Sequence, residues 1–268
     1  MRMKPSVSIV IPLYKPHPLN NELCSFRQCF KILGKYDIYI VTYQDLYLEE
    51  YSAVINQKIR CKYFDKKYFE SIDGYNTLLK EYNFYKAFKD YDYILIYQLD
   101  AWVFTDALTD WCRKKYDYIG SPWFSDYGSY EGGQQLWAVG NGGFSLRRVK
   151  KFLYVTNPKT RFLSVREVFK TYYKGYRSLP SCIFKCFGRK NNVAHFSSYF
   201  QELNEDGYFS IILSQYDRLR LHIPKAEQAA YFAFERSPRY LFKLTNHTLP
   251  FGCHAWEKYD PDFWNGKM

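Results

Sequence analysis

Asp100 is the acid with the most demanding surroundings. It is the first acid beyond Tyr93-Ile94-Leu95-Ile96-Tyr97, the most strand-like run in the chain. A carboxylate beside a buried strand is costly unless partnered, so Asp100 either caps the next helix or meets a cation or metal. The adjacent Trp102 and Phe104 argue against an exposed loop. Asn141-Gly142-Gly143 either lets backbone approach a ligand closely or makes an ordinary tight turn between strands. Glu205 and Asp206 open an apparent helix, where acids either complement the helix dipole or take a proton. The apolar stretch Tyr208–Leu213 that follows plants that helix start in the core. His254, in the turn-like stretch Pro250-Phe251-Gly252-Cys253-His254-Ala255-Trp256, either ligates a metal or bonds a backbone carbonyl. The chemistry on offer is metal ligation together with proton abstraction.

The elements that must position these groups read as alternating strands and helices. Val7–Leu13 is a short, β-branched apolar run closed by the turn-rich Lys15-Pro16-His17-Pro18, as a buried first strand would be. A helix follows, with Asn20 or Asn21 as N-cap, apolar positions at Leu23, Phe26, Phe30 and Leu33, and Gly34 as stop. Next come a strand at Ile38–Val41, a helix near Gln44–Ile55 and a strand near Ile59–Phe64. Asp73 then caps one longer helix through Tyr85 and Phe88. This order predicts an α/β fold with a mostly parallel central sheet and helices on both faces. Ligands bind such sheets beyond the carboxyl ends of the strands. Asp100 falls at such an end, and so do Pro12 and Tyr14.

With 268 residues, the chain suits one α/β domain with an embellishment. Hydrophobic residues at 47% and charged residues at 24% exclude a disordered chain. Twenty-eight Tyr, 22 Phe and 6 Trp make it 21% aromatic, which suits clefts, stacking platforms or an interface as well as core. The net charge of +11 is concentrated: residues 147–190 hold thirteen basic side chains and a single acid, Glu167, and the remainder is close to neutral. Tyr and Phe interleave with these cations, so the segment points to an anionic partner: phosphate, nucleic acid or an acidic membrane face. Seven scattered cysteines with no Cys-x-x-Cys pair indicate neither a disulfide framework nor a zinc site.

In order, Tyr97-Gln98-Leu99-Asp100, Asp117-Tyr118-Ile119-Gly120-Ser121-Pro122-Trp123, residues 140–147 (GNGGFSLR), residues 204–209 (NEDGYF) and Pro250-Phe251-Gly252-Cys253-His254 form a series. This series resembles the GT-A glycosyltransferases. It is most similar to a bacterial family, long described as a domain of unknown function, whose members look like polysaccharide galactosyl- or galactofuranosyltransferases. The likeness spans roughly residues 5–260. It implies a nucleotide-sugar donor, UDP-hexoses foremost, a saccharide acceptor that a lipid diphosphate can carry, and Mn²⁺ or Mg²⁺. The family's Asp-x-Asp element is present here as Gln98-Leu99-Asp100, so Asp100 alone carries over as its metal carboxylate, and His254 matches the C-terminal metal histidine. Asp206 matches the base of inverting members, with Glu205 as the fallback. Pro12, Tyr14, Gln98, Asp100, Asn141, Gly142 and Gly143 are then donor-binding, and Trp123 and Trp256 acceptor-binding. One GT-A-like domain would fill 1–268: a nucleotide-sugar half at 5–146, a basic helical insertion at 147–198 and an acceptor and catalytic part at 199–268.

Two other classes stay open. A basic, aromatic RNA- or single-stranded-DNA-binding module accounts for the charged segment but leaves Asp100, the Gly-Gly loop, Glu205-Asp206 and His254 without a task. An inactive scaffold of the same fold accounts for Gln98. The transferase reading expects no nucleic acid partner. With no secretory h-region and no window nearing eighteen apolar residues, it expects a cytoplasmic protein, peripheral to the inner face of the cell membrane through contact with an anionic membrane surface.

Overall fold

The structure, a computed structural model, describes residues 4–55, 58–125, 135–188 and 190–268. Its strands in chain order are β1 (Val7–Pro12), β2 (Asp37–Thr42), β3 (Cys61–Tyr63), β4 (Tyr93–Tyr97), β5 (Ala101–Val103), β6 (Tyr118–Ile119), β7 (Ser121–Phe124), β8 (Leu136–Gly140), β9 (Phe144–Arg148), β10 (Ala233–Phe234) and β11 (Gly252–His254). Helices α1 (Asn20–Leu33), α2 (Glu49–Ser52), α3 (Ile72–Lys80), α4 (Tyr82–Lys86) and α5 (Leu108–Arg113) lie in the first half. After them come α6 (Val149–Thr156), α7 (Val165–Tyr172), α8 (Leu179–Phe187), α9 (Val193–Ser197) and α10 (Glu205–Gly207).

Six strands form one sheet in the order β3-β2-β1-β4-β9-β6. The first four of these are parallel, and β9 runs antiparallel to both β4 and β6. Every residue of β1 and β4 is buried, the pattern of strands covered on both faces. The expected mostly parallel α/β sheet is therefore present, and its one antiparallel strand matters for the site. Because β9 opposes β4, its start lies beside the end of β4. Tyr97 pairs with Phe144, and the Gln98 N–H donates to the Gly143 carbonyl at 2.8 Å.

A smaller sheet, β10-β11-β5, crosses the same edge. In it β11 pairs antiparallel with β5, setting His254 against Ala101, and parallel with β10, setting Cys253 against Phe234. Hairpin β7–β8 forms a third, two-stranded unit. The main core surrounds the large sheet, and a second cluster around Phe234, Leu241, Cys253 and Trp264 lies against the small one. Among the described residues no helix is long and apolar enough to cross a membrane.

Several local expectations need correction. α1 begins one residue early: Leu19 is its N-cap, and Glu22 supplies the capping acceptor by taking the Leu19 N–H at 2.8 Å. The helix near Gln44–Ile55 shortens to the four residues of α2. Ser71, not Asp73, caps the next helix, accepting from the Gly74 N–H at 3.0 Å. That helix is also two: Glu81 is extended (φ −81°, ψ 137°), and α4 restarts after it. The break lets Tyr85 fold back and donate its hydroxyl to the Leu79 carbonyl. The stretch around His254 is not a turn alone, since Gly252–His254 is strand β11.

Candidate active site

The strand ends converge on a cleft of about 1140 Å³. Its walls include Pro12 at the end of β1 and Tyr14 beyond it, Gln98 and Asp100 after β4, and Asn141–Gly143 before β9. Glu205 and Asp206 of α10, His254 of β11, and Trp123 of β7 complete the convergence of residues named from sequence. Trp256 is the exception. It packs edge-on against Trp102 in the second apolar cluster, and it does not line the cleft.

The strand register delivers the first half of the site. His254 Nε2 lies 3.1 Å from Asp100 Oδ1 and 3.2 Å from Gln98 Oε1. Asp100 faces the cleft with 47% of its side chain exposed, whereas His254 is largely enclosed. The histidine's other nitrogen, Nδ1, meets Glu235 Oε1 at 3.2 Å. Glu235 follows β10 directly, and the pairing of β10 with β11 brings it alongside His254. Burial alone would strip the His254 proton, yet the Asp100 and Glu235 carboxylates outweigh it and raise the imidazole to about 10. Burial likewise pushes the Asp100 carboxyl up, but the imidazolium charge prevails and holds it below its usual range. Gly143 is required here by close approach: a Cβ on it would run into His254 Nε2 and Gln98 Oε1.

The second half is organised by Asn141. Its backbone is left-handed (φ 73°), a conformation asparagine tolerates. Its Oδ1 accepts the Gly143 N–H at 3.0 Å, its amide donates to Ser121 Oγ at 3.2 Å, and its own N–H donates to Asp206 Oδ2 at 3.0 Å. Asp206 Oδ1 accepts the Gly207 N–H at 2.7 Å, so both carboxylate oxygens are fixed by backbone donors. Burial nonetheless leaves the Asp206 carboxyl raised. Ser121 Oγ also bonds Glu235 Oε2 at 3.1 Å. One chain of hydrogen bonds therefore runs His254–Glu235–Ser121–Asn141–Asp206.

Glu205 is placed differently from its neighbour. It is buried, and its Oε1 accepts from Arg147 Nη2 at 2.8 Å, with the guanidinium fully enclosed. Arg147 also donates to Tyr85 Oη and to the Gly142 carbonyl. Among the described residues Glu205 Oε2 finds no hydrogen-bond partner. Burial pushes this carboxyl up to about 7 against the pull of the Arg147 charge. Just beyond α10, Tyr208–Ile212 form a π-helical turn, a distortion common at functional sites.

Two cleft residues escaped the sequence reading. Glu235 carries the signal that marks Asp100, an acid immediately past the apolar run Phe232-Ala233-Phe234. Trp137 of β8 is 58% exposed and stacks on Trp123 with centroids 6.4 Å apart. Trp123 in turn lies flat over Gly140, where a Cβ would strike its ring.

Asp100 Oδ1, His254 Nε2 and Gln98 Oε1 offer hard oxygen and imidazole donors on one open face. A carboxylate behind the histidine orients its ring, as at many metal sites. The donor set fits Mn²⁺ or Mg²⁺ with further ligands drawn from phosphate and water. Among the described residues no group of three or more His, Cys, Asp or Glu forms a metal cage.

No curated protein matches the chain. Among solved structures, the galactosyltransferase LgtC, determined with donor and acceptor sugar analogues, is 14% identical over 97% of this chain and 100% of its own, with a TM-score of 0.48. Mouse xyloside xylosyltransferase 1, in apo form, is 10% identical over 93% and 96%, with a TM-score of 0.45. The glycosyltransferase GlyE of Streptococcus pneumoniae TIGR4 is 12% identical over 99% and 57%, with a TM-score of 0.42. The family model DUF5672, described as a protein of unknown function, matches residues 58–254, from just before β3 to His254, and the chain belongs to that family.

Proposed function

We propose that the chain is a metal-dependent, inverting glycosyltransferase of GT-A type. It moves a hexose, galactose or galactofuranose, from a UDP-sugar to a saccharide acceptor in bacterial surface polysaccharide synthesis, and works in the cytoplasm on acceptors carried by lipid diphosphates. The observation that carries this reading is the meeting, in one cleft, of Asp100, Gln98 and His254 with Asp206 across the Asn141–Gly143 loop.

Asp100 and His254, with Gln98 beside them, would hold the cation. When bound, it would neutralise the diphosphate as the nucleotide leaves. Tyr14, exposed at the cleft rim with Lys15 Nζ 5.4 Å from its ring centre, is suited to the nucleotide base. The Gly142–Gly143 backbone borders the cleft where the donor would lie, its missing side chains making room for Glu205, His254 and Gln98, and stacked Trp123 and Trp137 offer a flat face to an acceptor sugar. Asp206 Oδ takes the acceptor hydroxyl's proton as that oxygen attacks the anomeric carbon from the side opposite the nucleotide. The carboxylate suits this role because two backbone N–H groups fix its direction while burial raises its basicity. Glu205, tied to Arg147, braces the loop instead.

The deciding experiment is a panel of nucleotide sugars with Mn²⁺, scored by nucleotide release and by the anomeric configuration of the product. Release from a UDP-hexose with inversion is expected. Retention of configuration would remove Asp206 as base, and no release from any donor would remove the transferase reading.

A further inference from the structure

α8 is amphipathic in reverse. The side chains it buries are Cys182 and Cys186, while Ile183, Phe184 and Phe187 stand 48%, 74% and 64% exposed. Spaced three and four apart, these three share one face of the helix. The turn before α8 adds Tyr176, 88% exposed. Beneath them lies only a small cluster of Val168, Cys182 and Cys186, packed with Leu163 and Phe169. Large apolar side chains exposed together on one helical face are of the kind that marks an interaction site.

Cations border the patch. Lys185 Nζ lies 4.3 Å from the Tyr172 ring centre and the Arg161 guanidinium 4.7 Å from that of Phe187. Arg166, Lys170, Lys174 and Arg177 are exposed nearby in sequence. The segment's one acid, Glu167, is engaged in capping α7 through Ser164. Three other members of the basic segment are occupied elsewhere: Arg147 is in its buried ion pair, Phe152 is in the main core, and Phe162 is stacked on Phe196. Arg189 lies outside the described residues.

We propose that the α7–α8 segment docks on an anionic lipid surface. Ile183, Phe184 and Phe187 enter the interface, and the surrounding lysines and arginines meet the headgroups. Charge selects this occupant, since a belt of cations with no free acid matches a negative surface. The aliphatic Ile183 and two phenylalanines on one helical face suit hydrocarbon better than a base-stacking groove, which uses planar rings along a strand. Docking deepens the transferase reading by bringing the enzyme to a lipid-carried acceptor. It is measured without turnover, so the two fail separately.

The test is sedimentation of the full chain with phosphatidylcholine vesicles and with phosphatidylcholine–phosphatidylglycerol vesicles, the variants' melting temperatures serving as the folding control. Recovery with the anionic vesicles only, weakening as salt rises, is expected. Lys170→Glu, Lys174→Glu and Arg177→Glu together should weaken it by about a hundred-fold or more, at roughly five-fold for each cation lost. Phe184→Ser with Phe187→Ser should abolish it while leaving the melt unchanged, because both side chains are exposed. Equal recovery with the two vesicle types would overturn the proposal. So would indifference to both sets of substitutions, or capture of single-stranded RNA in place of vesicles.

Discussion

Asp206 and Glu205 are adjacent carboxylates with opposite circumstances. Asp206 has both oxygens aimed by backbone N–H groups at the cleft wall, whereas Glu205 is consumed by Arg147. Asp206→Asn keeps the shape and loses the basicity, so transfer should fall by about 10²–10⁴-fold with donor binding retained, read by single-turnover assay beside nucleotide titration. The pH dependence has a definite sign. Burial raises the Asp206 carboxyl, and on the proposed mechanism the deprotonated form is the active one. Activity should therefore be full at high pH and lost as pH falls through a value above the ordinary aspartate range. An acid limb of kcat/KM at or below that range would contradict the assignment. On the same mechanism Glu235, 3.2 Å from His254 Nδ1, orients the histidine as a metal ligand. Glu235→Gln should raise the Mn²⁺ concentration needed by about 10–100-fold, measured by metal titration of activity and of nucleotide binding.

At the scale of elements, the Arg147–Glu205 pair joins β9 to α10 across the Asn141–Gly143 loop. Glu205→Ala leaves the guanidinium buried without its counter-charge and should cost about 3–5 kcal/mol in urea unfolding. Replacing both residues by methionine should recover most of that loss. This pair also shows what the sequence conceals. Arg147 reads as the first cation of a basic surface segment, yet it is the largest charged group in the core. Local signals did serve for the position of residues that meet in the cleft. Asp100, the Asn-Gly-Gly loop and the Glu-Asp pair each adjoin an apolar run that fixes their place. They failed where long-range packing decides. The apolar stripe from Tyr75 to Phe88 is continuous in sequence, but the chain breaks at Glu81 so that Tyr85 reaches both Leu79 and Arg147. Glu235 meets His254 only because β10 pairs with β11, a contact between residues nineteen apart. Trp256 has the composition of a sugar platform and is used as packing against Trp102.

For the molecule as a whole, UDP with Mn²⁺ should raise the melting temperature more than either alone. Saturation at a hundred times Kd adds about 2.7 kcal/mol to stability, provided the unfolded chain does not bind. Asp100→Asn should abolish the cooperative part of that shift, measured against the variant's own melt, which loss of the His254 ion pair lowers. The network from His254 to Asp206 has a wider consequence for how the cleft can change. One wall is interlocked: Gly143 admits no side chain because His254 and Gln98 lie on it, Gly142 admits none because Glu205 does, and Asn141 is bonded on three sides. The rim at Tyr14 and Trp137 stands about half out in solvent, outside that network. A new sugar preference is thus most readily engineered at the rim, one residue at a time, while the loop must be transplanted with its histidine, glutamine and glutamate or not at all.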